Sequence, residues 1–172
     1  MKIGIFYGSC GGTTAQVANL LADAFEIDED DVINMEEDFD DVSQLMEYDV
    51  LFIGSSTWGQ GDVQRDWVDV MLEIEEEELD FDGKTIALFG AGDSKTHGEH
   101  FVSALGKMHD LFAGLGAKII GFVPTDGYTF THSLALKDGK FCGLPFDTVN
   151  EPDLTIPRAN AWIEQLKKEL GL

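Results

Sequence analysis

Apolar residues along the chain fall into two alternating kinds of run. Residues 2–7, 50–54, 85–89 and 118–123 are short and almost continuously apolar, which predicts strands buried on both faces. Between them apolar positions recur at helical spacing. Ala15, Ala18, Leu21, Ala22 and Phe25 form the first such set, and Val63, Trp67, Val70, Met71 and Ile74 the second. Phe101, Leu105, Met108 and Phe112 form the third, and residues 159–170 close the chain with Trp162, Ile163, Leu166 and Leu170 inward. Weaker signals predict a short strand at residues 32–34 and a short helix carrying Val42, Leu45 and Met46. Residues 125–148 read as loop, with turns at Asp126-Gly127 and Asp138-Gly139 and a small hairpin around Leu134 to Leu136 and Lys140-Phe141.

Alternating strand and helix, without repeats or linkers, predicts one α/β domain: a doubly wound parallel sheet with helices on both faces. Such sheets bind ligands beyond the carboxyl ends of their strands, where the strand order switches. Three strands exit into loops of unusual character, at residues 8–14, 55–62 and 90–98, and all three belong on that one edge.

The first loop carries Gly8, Gly11 and Gly12, the hydroxyls of Ser9, Thr13 and Thr14, and no Lys or Arg. A helix N-terminus offers unpaired N–H groups and partial positive charge, so it holds an anion without cations. Glycines let the N–H groups curl into a nest. A nucleoside-triphosphate loop needs Lys after its last Gly, and Thr13 follows Gly12. The dinucleotide glycine spacing is absent. A small cysteine phosphatase needs Arg six residues after its nucleophile, and Gln16 stands there after Cys10. The expectation is a site for one phosphate that is bound and not transferred.

Of 172 residues, 44% are hydrophobic, enough for a real core, and no apolar run is long enough for a membrane span. The N-terminus has no signal-peptide layout, so a cytoplasmic protein is expected. Cys10 and Cys142 are too few for a disulfide framework. A net charge of −22 argues against nucleic acid and anionic membranes and favours basic partners. The acid-rich residues 26–41 lack the ordered spacing of a calcium loop. His97 and His100 have the spacing of a zinc pair, with no third or fourth ligand, so no metal is expected. Trp58 sits on the second loop, where an indole is costly unless it packs on something.

With its opening IGIFYGS…GGTT, the segments LFIGSSTWGQGD and IALFGAGD, and the late TDGYTF and KFCGLPFDTVN, the chain resembles the flavodoxins over essentially its whole length. The resemblance implies the strand order 2-1-3-4-5, with flavin mononucleotide (FMN) at the switch point; flavodoxin is the standard illustration of that order. It implies the long-chain subgroup, with an insertion at about residues 125–148 splitting the fifth strand. Ser9, Cys10, Gly11, Gly12, Thr13 and Thr14 fall on the phosphate loop, with Gly11 where the family usually has a hydroxyl. Trp58, beside Ser56 and Thr57, matches the aromatic on one face of the flavin, and His97 falls where the other face usually has Tyr. A protonated His97 would raise the potential at low pH. Gly92 and Asp93 border the pyrimidine edge, Gly90 on the third loop and Gly59 and Gly61 on the second also fall among the cofactor-binding residues, and Asp147 matches an acid near the phosphate loop. The peptide after Trp58 is expected to flip on reduction, which Gly59 permits.

The function implied is a low-potential, non-enzymatic one-electron carrier between a reductase or photosystem-type donor and acceptor enzymes, acting as a monomer. Two other readings stay open: an FMN-dependent quinone or azo reductase of related fold, and a flavodoxin-like module that has lost FMN.

Overall fold

The computed structural model describes residues 1–9 and 12–172, so the phosphate-loop expectations on Cys10 and Gly11 lie outside the described residues. Its strands are β1 Ile3–Gly8, β2 Val32–Asn34, β3 Val50–Ser55, β4 Thr57–Trp58, β5 Asp62–Val63 and β6 Thr85–Ala91. Then follow β7 Lys118–Ile120, β8 Val123–Pro124, β9 Leu136–Lys137, β10 Lys140–Phe141 and β11 Gly143–Phe146. The helices are α1 Thr13–Ala24, α2 Arg65–Glu76, α3 Ser103–Gly114 and α4 Thr155–Leu170.

The main sheet is parallel and runs β2-β1-β3-β6, with its last column shared by β7 and β11. β7 pairs with the first half of β6 (Ala87↔Ile120) and β11 with the second (Leu88↔Gly143). Counted by column, this is the doubly wound order 2-1-3-4-5, with β1 at the switch.

Alternation along each strand feeds two cores. Phe6, Leu51, Ile53, Ile86 and Leu88 face α2 and α3, where Trp67, Ile74, Leu105, Met108 and Phe112 are buried. Ile5, Val50, Phe52, Ala87 and Phe89 face α1 and α4, against Val17, Leu21, Trp162, Ile163 and Leu166. Each such side chain contributes about 1.5–3 kcal/mol of burial. Trp67 and Trp162 are core residues whose indole N–H groups donate to the carbonyls of Gly54 (3.0 Å) and Gly121 (2.8 Å).

Several element bounds differ from the sequence reading. Val63 is in the β4–β5 ladder, opposite Thr57, and α2 starts two residues later because the Gln64 side chain accepts from the Asp66 N–H (2.9 Å). Phe101 precedes α3. The strand expected at residues 118–123 ends at Ile120, where the Gly121 carbonyl turns to Trp162. Residues 125–148 are not all loop. The expected hairpin is present as β9–β10, β8 joins it, and the fully buried β11 follows. Pro145 hides β11 from a sequence reading, yet an edge strand tolerates proline. α4 starts at Thr155, ahead of the expected residue 159, because Pro157 in its first turn costs no helical hydrogen bond. The segment with Val42 and Leu45 is a 3₁₀ helix, Val42–Glu47.

Candidate functional site

Parallel register aligns the strand ends: Gly8 lies beside Ser55, Gly54 beside Phe89, and Ala91 beside Phe146. Four chain segments therefore leave the sheet at one edge, the three expected and the one after β11.

At the first, Gly12 takes φ +85°, a left-handed conformation natural to glycine, and opens α1 without any side-chain cap. No acid stands in the first turn of α1, and apart from its chain neighbours no described residue lies within 4 Å of a Cβ placed on Gly12. The Ser9 hydroxyl is buried and has no partner among the described residues. A buried polar atom without a partner is costly, and an open helix N-terminus beside it is a donor set for an anion. Thr14 is buried, and Thr13 Oγ1 shares a 3.3 Å hydrogen bond with Thr148 Oγ1. The residues present thus fit one phosphate.

The second loop is stiffened from below. Ser55 Oγ accepts from the Gln64 N–H and donates to the Ser56 carbonyl, both at 2.9 Å. Trp58 is 49% exposed, and its indole N–H donates to Ser56 Oγ at 2.7 Å, which fixes the ring orientation. Thr57 Oγ1 accepts from the Ala104 N–H at 3.2 Å, tying the loop to α3. Gly59 has φ +51°, and the Gly61 N–H closes the turn on the Trp58 carbonyl at 3.1 Å. Beyond Trp58 an open cleft of about 1130 Å³ runs between α2 and α3, floored by Val63, Val68, Met71, Leu72 and Leu111.

Ahead of the third loop, Gly90 near the end of β6 passes so close to β3 that a Cβ there would stand 2.0 Å from the Ser55 carbonyl oxygen. The Gly92 N–H donates to the Phe146 carbonyl at 3.0 Å. Asp93 Oδ1 accepts from the Thr96 N–H (3.0 Å), the Lys95 N–H (3.2 Å) and Asn150 Nδ2 (2.8 Å). The Thr96 N–H, above the other contacts, holds this carboxyl below its ordinary range. His97 is exposed and, with Gly59, Gln60, His100 and Thr131, borders a depression of about 580 Å³. The second and third loops therefore meet there, while Trp58 borders the separate cleft between α2 and α3.

The fourth segment was read only through Asp147. That carboxylate is 0% exposed and accepts from Ser94 N–H (3.0 Å), Ser94 Oγ (2.5 Å), Asn150 N–H (3.0 Å) and Asn150 Nδ2 (2.9 Å). Burial alone would raise its pKa, but the hydrogen bonds from Ser94 and Asn150 outweigh it and hold the group below the usual range. Asp147 thus pins the third loop to the end of β11. Ser94, Thr148, Asn150 and Gln64 escaped the sequence reading. The polar residues clustered at positions 147, 148 and 150 were the available signal for two of them. His97 and His100 belong to no group of three potential metal ligands among the described residues. No helix there is long and apolar enough to cross a membrane.

The flavodoxin family model matches residues 5–162. Flavodoxin 1 of Azotobacter vinelandii is 54% identical over 168 residues, covering 98% of this chain and 97% of that one. The flavodoxin of Nostoc sp. PCC 7120 is 40% identical, covering 99% and 98%. The crystal structure of Fusobacterium nucleatum flavodoxin bound to flavin mononucleotide superposes with a TM-score of 0.88 at 31% identity, covering 98% of this chain and 99% of that one. An open helix N-terminus at the sheet edge, a half-exposed indole on the neighbouring loop and a sequence match along nearly the whole length have one meaning: this chain belongs to the flavodoxin family.

Proposed function

We propose that this chain is a low-potential carrier of single electrons on non-covalently bound FMN, working between a reductase or photosystem-type donor and acceptor enzymes. The observation that carries the reading is the buried Ser9 hydroxyl, without a partner among the described residues, beside the uncapped start of α1 and at the same sheet edge as half-exposed Trp58. When bound, FMN supplies the one-electron chemistry. The phosphate goes to Ser9, Gly12, Thr13 and Thr14, together with Cys10 and Gly11. Trp58 with Ser56 and Thr57 covers one ring face, and His97 the other. Gly59, Gly61, Gly90, Gly92 and Asp93 border the ring, and Asp147 holds Ser94 and Asn150 behind it.

No cation stands in the phosphate loop, and the protein carries a net charge of −22, so added negative charge on the ring is unfavourable. This keeps the second reduction step at low potential. Asp69, Glu73, Glu75 and Glu76 are exposed on α2, with Glu75 bordering the cleft, and suit a basic-surfaced reductase or acceptor. The chain acts as one domain over residues 1–172, with residues 125–148 as an insertion, as a cytoplasmic monomer.

The test is the visible spectrum of FMN-reconstituted protein during stepwise anaerobic reduction. Two resolved one-electron stages are expected. A single two-electron passage would point to the reductase reading, and failure to retain flavin would overturn the proposal.

A further inference from the structure

Residues 128–135 lie against the end of the third loop and the start of α3. The N–H groups of Thr131 (2.8 Å) and His132 (2.9 Å) both donate to the Gly98 carbonyl, and the Phe101 N–H donates to the His132 carbonyl at 3.2 Å. Ser133 Oγ donates to the Phe101 carbonyl, and the Leu134 N–H donates to Ser103 Oγ at 3.0 Å. The Phe101 ring stacks on Phe130 with centroids 5.9 Å apart, and meets Phe141 at 5.9 Å and Tyr128 at 6.2 Å.

Between these ties sits Val102, fully buried, at φ +46° and ψ +27°. A β-branched residue in the left-handed region is strained, and it stays there only where its surroundings over-determine it. Here the surroundings are the inserted segment on one side and the flavin-side loop on the other. A Cβ on Gly92 would stand 3.0 Å from the side chains of both Phe101 and Val102, so the loop backbone passes close to them and leaves no room for a side chain there. Thr131 itself borders the depression with His97.

We infer that residues 128–135 are a template that sets the pose of residues 92–103, with Phe130 and Ser133 as positioning residues for the ring half of the site. The part that concerns flavin rests on the proposed FMN site. The part that concerns the loop does not.

The experiment compares Phe130→Ala, Ser133→Ala and Phe130→Tyr with the parent protein. Amide hydrogen exchange at residues 97–101 of the apoprotein is the first readout. Affinities for riboflavin and for inorganic phosphate are the second. Losing the stacked ring or the hydroxyl should speed exchange and weaken riboflavin about tenfold, the scale of one aromatic or hydrogen-bond contact. Phosphate affinity should not change, and Phe130→Tyr should restore the parent values. Unchanged exchange, or equal losses of riboflavin and phosphate, overturns the inference. A parent protein that binds no flavin defeats the proposed function, while the exchange readout still decides the template.

Discussion

The buried Ser9 hydroxyl, which has no partner among the described residues, gives a sharp residue-level expectation. If it donates to a bound phosphate, Ser9→Ala should lose about 1.5–3 kcal/mol of FMN affinity, or about tenfold to a hundredfold, by titration. Riboflavin, which lacks the phosphate, should bind as before, and a parallel loss would contradict the assignment. Gly59 makes a second case. Its φ of +51° costs an L side chain about 1–2 kcal/mol, while a Cβ there would meet only Asp62 Oδ2 at 3.4 Å. Gly59→Ala should therefore act through the backbone and bring the two one-electron potentials closer together; unchanged potentials would show that this peptide has no part in tuning them. Asp147 adds a pH dependence with a definite sign. Its carboxyl is held below the usual range in the folded protein, so the unfolded chain binds the proton more readily. The stability it contributes is full above about pH 4, the ordinary carboxylate pKa, and is lost as pH falls through the folded value. Asp147→Asn should flatten that acid limb in urea melts, and an identical limb would place the pH dependence elsewhere.

At the scale of elements, buried strands and amphipathic helices were legible because period and burial coincide in them. What was not legible depended on contacts between distant residues. Gln64 reads as a polar residue inside a helix, yet it is wholly buried and caps α2 from outside. Replacing it by Ala should cost about 1–2 kcal/mol in chemical denaturation; a neutral result would mean the cap is supplied from elsewhere. β11 was hidden by Pro145, and the start of α4 by Pro157. In the site, the phosphate loop, Trp58 and the third loop were visible as local composition. The Asp147–Ser94–Asn150 cluster was not, because its hydrogen bonds join positions up to 53 residues apart.

For the whole molecule, charge is the organising quantity. A net charge of −22 makes like copies repel and basic partners approach. Reduction by a basic reductase should slow steadily as ionic strength rises and the screening length falls below about 10 Å. A rate independent of salt would remove steering from the account. Charge is not the molecule's sole protection against its own kind. The outer column of the sheet consists of β7 and β11, two short pieces from separate stretches of chain, and Pro145 offers no N–H. The opposite border, β2, is three residues long. Neither border gives a neighbouring chain a continuous ladder to copy, so these sheets are poor seeds for fibrils or stacked aggregates even where salt has silenced the repulsion.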